Sequence, residues 1–288
     1  MNALGTQVRA IGVLLATISL SLAIPSLAAA QEANAEAAAK DTSDKSGTNP
    51  INFQRDIRVY NEYLWLNTAG DGNQNLTTLE FRTPFAGGKW QFRTRLPYSS
   101  LTADFNGDGI DDIDDSGLGD VNFRLLTVPY FKGANAVAFA MEVFLDTASD
   151  DSLGAGNTSL APVVFVGHFF RGGFGPWKKG GLFAPGLQYK FSVDEADGRA
   201  KTEQIILDIN FLLQSEDGQS WLFAEPQIVF DQETNADFAI MDIEFGWMMT
   251  KWWPKLKGQS FYVRPTFTIG TDRPMDYGLE LGYKFIGW

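Results

Sequence analysis

From Ile51 onward the chain alternates apolar and polar residues with a period close to two, the spacing of a strand with two different faces. Trp90, Phe92 and Leu96 alternate with Gln91, Arg93 and Arg95, and Val137, Phe139, Met141 and Val143 alternate with small residues and Glu142. The same rhythm runs through 187–193, 205–213, 241–247, 261–269 and 277–285. Five weaker segments, near 56–66, 75–84, 121–131, 159–170 and 221–230, bring the expected number of strands to twelve. Most are about ten residues long, the length a tilted strand needs to cross a bilayer, whereas strands of soluble sandwiches average about five or six. An even number of long alternating strands predicts an all-β fold, a transmembrane antiparallel β-barrel with an apolar skin and a polar lumen.

The N-terminal 50 residues follow another pattern. Arg9 precedes an apolar stretch from Ala10 to Leu27, and Ala28-Ala29-Ala30 stands ahead of Gln31. A basic start, a short apolar core and small residues at −3 and −1 form a secretory signal peptide over 1–30. Residues 31–50 contain no aromatic residue and, apart from alanine and Pro50, no apolar one, so they are expected to be a disordered, solvated periplasmic leader. The barrel is expected over 51–288, in the outer membrane of a Gram-negative cell. The chain has no cysteine, which removes disulfides and thiolate metal sites. Its formal net charge of −12 argues against a nucleic-acid partner.

Charge, which played no part in placing the strands, sorts the connections. If the first strand starts in the periplasm, the outer connections are 67–74, 98–120, 146–158, 194–203, 231–237 and 271–276. They hold 20 acidic residues and three basic ones, Arg199, Lys201 and Arg273. The inner connections 85–89, 132–135, 171–180, 215–220 and 250–259 hold eight basic residues and two acidic ones, Glu216 and Asp217. A wrong strand parity would have mixed the two sets. An acidic outer rim fits divalent cations and, through them, lipopolysaccharide.

Charges on the polar faces must line the interior. The expected acids are Glu62, Glu80, Glu142, Asp208, Glu225, Asp242, Glu244 and Glu280; the bases are Arg58, Arg82, Arg93, Arg95, Arg124, Arg264, Lys190 and Lys284. Closing twelve strands sets the third opposite the ninth. Arg82, Arg93, Arg95 and Arg124 then face Asp208, Glu225, Asp242 and Glu244 across the lumen, a transverse field of the kind that selects solutes. Direct pairing that plugs a narrow barrel is the competing arrangement.

The loop 98–120 carries Asp104, Asn106, Asp108, Ile110, Asp112 and Asp115, with Gly109 at the sixth position. Oxygen donors at this spacing suit a structural Ca²⁺, and the loop resembles those of dockerins and thrombospondin type 3 repeats. Asp115 replaces the usual bidentate Glu. The same acids would also serve a plain solvated loop. The single histidine, His168, has no serine with an orienting acid beside it in sequence, so no catalytic group is expected.

Gly117-Leu118-Gly119-Asp120-Val121 and Leu153-Gly154-Ala155-Gly156-Asn157, the latter running into Leu160-Ala161-Pro162, resemble the outer-membrane family labelled putative meta-pathway of phenol degradation. The resemblance covers most of 50–288 and implies passive, transporter-like uptake of small solutes across the outer membrane. Asp146-Thr147-Ala148 stands where members carry Pro-Thr-Gly, so an aromatic substrate does not transfer with the motif. Tyr277 to Phe285 fits the C-terminal signal read by the barrel-assembly machinery, although Ile286-Gly287-Trp288 breaks its phase. Two functions follow as expectations: a porin-like channel with charged walls, or a non-conducting structural or calcium-binding surface barrel. The reading of the N-terminus has a direct check: intact-mass spectrometry of protein isolated from membranes is expected to give a chain starting at Gln31.

Overall fold

The computed structural model describes residue 46, residues 48 and 49, and residues 51–287 apart from 197 and 200. The expected signal peptide, 1–30, and the leader as far as residue 45 lie outside the described residues. The chain folds as β1 (Asp56–Leu66), β2 (Gly72–Phe85), β3 (Trp90–Ala103), β4 (Ile113–Leu118), β5 (Asn122–Lys132), β6 (Asn135–Phe144), β7 (Asn157–Arg171), β8 (Gly180–Glu195), β9 (Glu203–Gln214), β10 (Ser220–Asp231), β11 (Asp237–Met248), β12 (Gln259–Ile269) and β13 (Met275–Ile286). All pairings are antiparallel between neighbours. The sheet closes where β1 meets β13, in register from Asp56 opposite Ile286 to Leu66 opposite Met275.

Every expected strand is present, and there is one more. The expected loop 98–120 is shorter than its sequence suggested, because β3 continues to Ala103 and β4 pairs with its outer half. β5 pairs with the inner half of the same strand, Trp90–Arg95. β4 and β5 therefore share one position in the wall, and the barrel has twelve positions. The sequence Ile113-Asp-Asp-Ser-Gly-Leu118 offers too few apolar residues for its periodicity to show.

Apolar side chains cover the outside. Val59, Leu79, Leu96, Phe139, Leu187 and Leu281 are each at least 39% exposed. Spread over many strands, such exposure forms a belt for hydrocarbon rather than a local patch. Both ends of β1–β13 as a unit, the start of β1 and the end of β13, lie at one rim with the short turns. The acidic connections lie at the other.

A row of rings and glycines crosses five strands on the inner face. Trp221 of β10 is registered with Gly246 of β11, Gly246 with Tyr262 of β12, Tyr262 with Gly282 of β13, and Gly282 with Tyr60 of β1. A Cβ on Gly246 would lie 2.0 Å from the Trp221 ring, and one on Gly282 would lie 2.0 Å from Tyr262. The missing side chains let both rings lie down across the neighbouring strand, and Trp221 and Tyr262 are almost wholly buried. Filling either gap forces a packed ring off its rotamer, a cost of about 1–3 kcal/mol. Gly282→Val is therefore expected to lower the temperature at which the folded barrel converts to the slower-migrating unfolded form in heat-modifiability gels.

Candidate transport lumen

The eight sequence-predicted lining residues all lie on the strand face opposite the apolar belt. The structure brings them together differently from a pair of facing walls. Arg82 takes Asp56 through Nε at 2.8 Å and through a second guanidinium nitrogen. Arg58 bridges Asp56 and Glu80 at 3.3 Å each, and Arg95 reaches Glu80 at 2.7 Å. Arg93 pairs with Glu142 and donates to Asn122 at 3.2 Å. On the other side Glu244 receives Lys284 at 2.9 Å, Arg264 at 2.5 Å and the Trp221 indole N–H at 2.6 Å. Arg264 also reaches Glu280 at 3.5 Å, and the Tyr262 hydroxyl donates to Glu280. Lys284 stands over the Tyr262 ring at 4.3 Å and the Trp221 ring at 5.1 Å, two cation–π contacts.

Arg82, Arg93, Arg95 and Glu244 are thus neutralised by partners one or two strands away in the wall. Asp56, which supports two arginines, was missed from sequence because it opens β1, although it shares the parity of Arg58, Tyr60 and Glu62. Among the described residues Arg124, Asp208, Glu225 and Asp242 take part in no ion pair. Asp208 accepts from Asn210 at 3.1 Å and Asp242 from Thr266 at 2.5 Å. Glu225 and Asp242 are direct cross-strand partners, so two carboxylates stand side by side. Counting round the twelve positions sets β5 opposite β11. The transverse polarity is retained in reduced form, as Arg124 facing three carboxylates.

Towards the terminal rim much of the inner wall is apolar. Leu182, Ala184, Leu212, Trp221, Phe223, Met248 and Tyr262 form one buried cluster, joined by Ile51, Tyr60 and Phe169. Leu126, Ala138, Ala140, Val163 and Phe165 form a second, joined by Phe53 and Val128. The lumen is therefore two-sided near the terminal rim. β11–β13 and β1–β3 present most of the paired ions, and β5–β10 present hydrocarbon.

The segment before β1 lies inside. Ser46 and Asn49 are 2% and 5% exposed, and the Ser46 carbonyl accepts from Lys284 at 3.2 Å. Gln91 donates to the Gln54 carbonyl at 3.4 Å, and Gly287 donates to that of Arg55 at 2.8 Å. Ser46, Thr48 and Asn49, the described residues of the expected leader, are buried or half-buried against the barrel. Ile51 and Phe53 supply the driving force by seating in the two apolar clusters.

In the outer loop, Asp104 is buried and accepts backbone N–H groups from Gly109, Gly107 and Asn106, which hold its carboxyl below the usual carboxylate range. Asp108 accepts from the Ile110 N–H, and Asp112 from the Phe105 N–H and the Asn106 amide. Asp115 lies in β4 opposite Leu101 and accepts from Ser152. Among the described residues no three acidic or histidine side chains converge to hold a metal ion. His168 points outward near the end of β7, its Nδ1 2.9 Å from the Asn135 amide oxygen.

No family model matches the chain, and no curated protein matches it. Several solved structures do. The COG4313 outer membrane channel from Pseudomonas putida F1 aligns with a TM-score of 0.60 and 11% identity over 82% of this chain and 96% of that one. The translocator domain of the autotransporter NalP from Neisseria meningitidis aligns at 0.46 and 10% identity, covering 90% and 99%. The KdgM porin aligns at 0.45 and 10%, covering 80% and 98%. At these identities the likeness is one of fold, and it does not reach the phenol-degradation family that the glycine turns resemble. The chain has the closed antiparallel barrel of outer-membrane proteins.

Proposed function

We propose that this barrel is a passive channel or transporter for small solutes in the outer membrane of a Gram-negative cell. The observation that carries this reading is the two-sided lumen near the terminal rim: two apolar clusters centred on β5–β10 beside a face of fixed, mostly paired ions on β11–β13 and β1–β3. A solute with an aromatic or aliphatic body and a polar group meets a complementary surface on each side. Ile51 and Phe53 occupy part of that apolar face, so a solute moves by displacing them or by passing beside them. The likeness in fold to an outer membrane channel supports the same reading.

A second reading, a sealed structural barrel, is favoured by the same N-terminal segment. Bilayer recordings separate the two. The mature protein is expected to conduct weakly, and Ile51→Ser/Phe53→Ser is expected to raise conductance and the liposome uptake of small aromatic acids several-fold. A variant that inserts, resists unfolding like the parent and stays silent would remove the channel reading.

The unpaired ions predict the sign of selectivity. Among the described lumen residues Glu62, Asp208, Glu225 and Asp242 take part in no ion pair, against Arg124 and Lys190, so the lumen is expected to favour cations modestly. Glu225→Gln/Asp242→Asn should move the reversal potential in a salt gradient towards zero, and an unchanged potential would show that these groups do not face the permeation path.

A further inference from the structure

The turn between β11 and β12 is unlike the other connections at its rim. Residues 249–258 read Met-Thr-Lys-Trp-Trp-Pro-Lys-Leu-Lys-Gly. The turn has a fixed shape. A 3-10 turn spans Met249–Lys251, and the Trp252 and Trp253 N–H groups both return to the Met249 carbonyl, at 3.0 and 2.8 Å. The Leu256 N–H then bonds the Trp253 carbonyl at 2.9 Å. Thr250 donates to Gln219 at 3.0 Å, tying the turn to its neighbour between β9 and β10.

This turn borders an open apolar pocket of about 590 Å³, lined by Met249, Trp253, Pro254, Lys255 and Leu256. Trp252 and Trp253 are 50% and 55% exposed, with ring centroids 6.1 Å apart. Lys255 lines the pocket, Lys251 and Lys257 are exposed on the same turn, and among the described residues none of the three is ion-paired. Asp217, on the adjacent turn, lies within electrostatic reach of Lys251. The turn between β7 and β8 bends towards the same arc: Trp177 stands 6.1 Å from the outward ring of Phe245, and exposed Lys178 follows it.

We infer that this turn is a binding site for one anionic glycerophospholipid of the leaflet at the terminal rim. An aromatic girdle alone accounts for rings at this depth. It does not account for an apolar pocket lined by Lys255 within a ten-residue turn that carries two more exposed lysines, which matches a ligand with a hydrocarbon tail and a negatively charged phosphate head. A soluble anion would leave the pocket unfilled, and an uncharged lipid would leave the lysines unmatched. The inference does not depend on whether the lumen conducts.

The test is native mass spectrometry of the delipidated full mature protein in detergent, titrated with phosphatidylglycerol or with phosphatidylcholine of the same chain length. One phosphatidylglycerol per barrel is expected to bind in preference to phosphatidylcholine. An attraction of about 1 kcal/mol per basic residue near an anionic surface corresponds to roughly fivefold in affinity. Lys251→Gln/Lys255→Gln/Lys257→Gln is therefore expected to weaken binding about a hundredfold. Lys89→Gln/Lys132→Gln, on the opposite side of the same rim, should leave it unchanged. Equal binding of the two lipids, an unaffected triple variant, an equal loss in the control, or full competition by glycerol phosphate would each overturn the site. Should the triple variant fail to fold, quenching of the parent's tryptophan fluorescence decides: brominated phosphatidylglycerol should quench at lower mole fraction than brominated phosphatidylcholine, and equal quenching would refute the proposal.

Discussion

A strand in hydrocarbon has no water to take up an unpaired N–H or C=O, so a membrane-spanning sheet must leave no edge. Here that requirement is met at the seam between β1 and β13. An antiparallel sheet can close on itself only with an even number of wall positions, because an odd number would leave the first and last strands parallel. The thirteenth strand is accommodated for this reason by sharing. β4 and β5 run in the same direction and pair with successive parts of β3. Asp120 at the junction accepts the N–H groups of Thr147, Ala148 and Ala155, and the Gly119 N–H bonds the Pro97 carbonyl at 3.0 Å. The break in the wall is closed by one carboxylate and one turn.

Closure also decides where the charges go. Polar faces turned inward are removed from bulk water, and an ion deprived of water needs a partner close by. The register offers such partners on adjacent strands, about 5 Å away, before it offers any across the barrel. Arg82 with Asp56, Arg95 with Glu80 and Arg264 with Glu244 are all near-neighbour solutions. They gather most of the paired ions on β11–β13 and β1–β3, and towards the terminal rim β5–β10 carry apolar clusters that Ile51 and Phe53 cover in part.

The strands were legible because the lipid face demands an apolar residue at every second position. Where the inner face is polar, as in β3 or β13, the alternation is sharp. Where the lumen is apolar, it blurs: in β7, Val163 and Phe165 point inward between Val164 and Val166, which point to lipid. Of the five faint segments, β5, β7 and β10 contribute to the apolar clusters, whereas β1 and β2 carry paired ions, so faintness alone did not mark the apolar side. The burial of Ser46 and Asn49 left no trace in the pattern, since small polar residues read as solvated until a wall is placed round them. Which arginine meets which carboxylate was also hidden, because parity gives the face and only the register gives the neighbour.

The ring and glycine row bears on how the barrel finds its pairing. Strict alternation forbids a slip of one residue, which would turn every side chain to the wrong medium. It tolerates a slip of two, which keeps each residue on its proper face. Shifting β13 by two against β12 would set Glu280 or Lys284 beside the flat ring of Tyr262, where only Gly282 leaves room. The same displacement at the seam would move Gly282 away from Tyr60. The glycines thus act as a ratchet tooth for assembly, rejecting near-miss closures that the pattern of apolar and polar residues would accept.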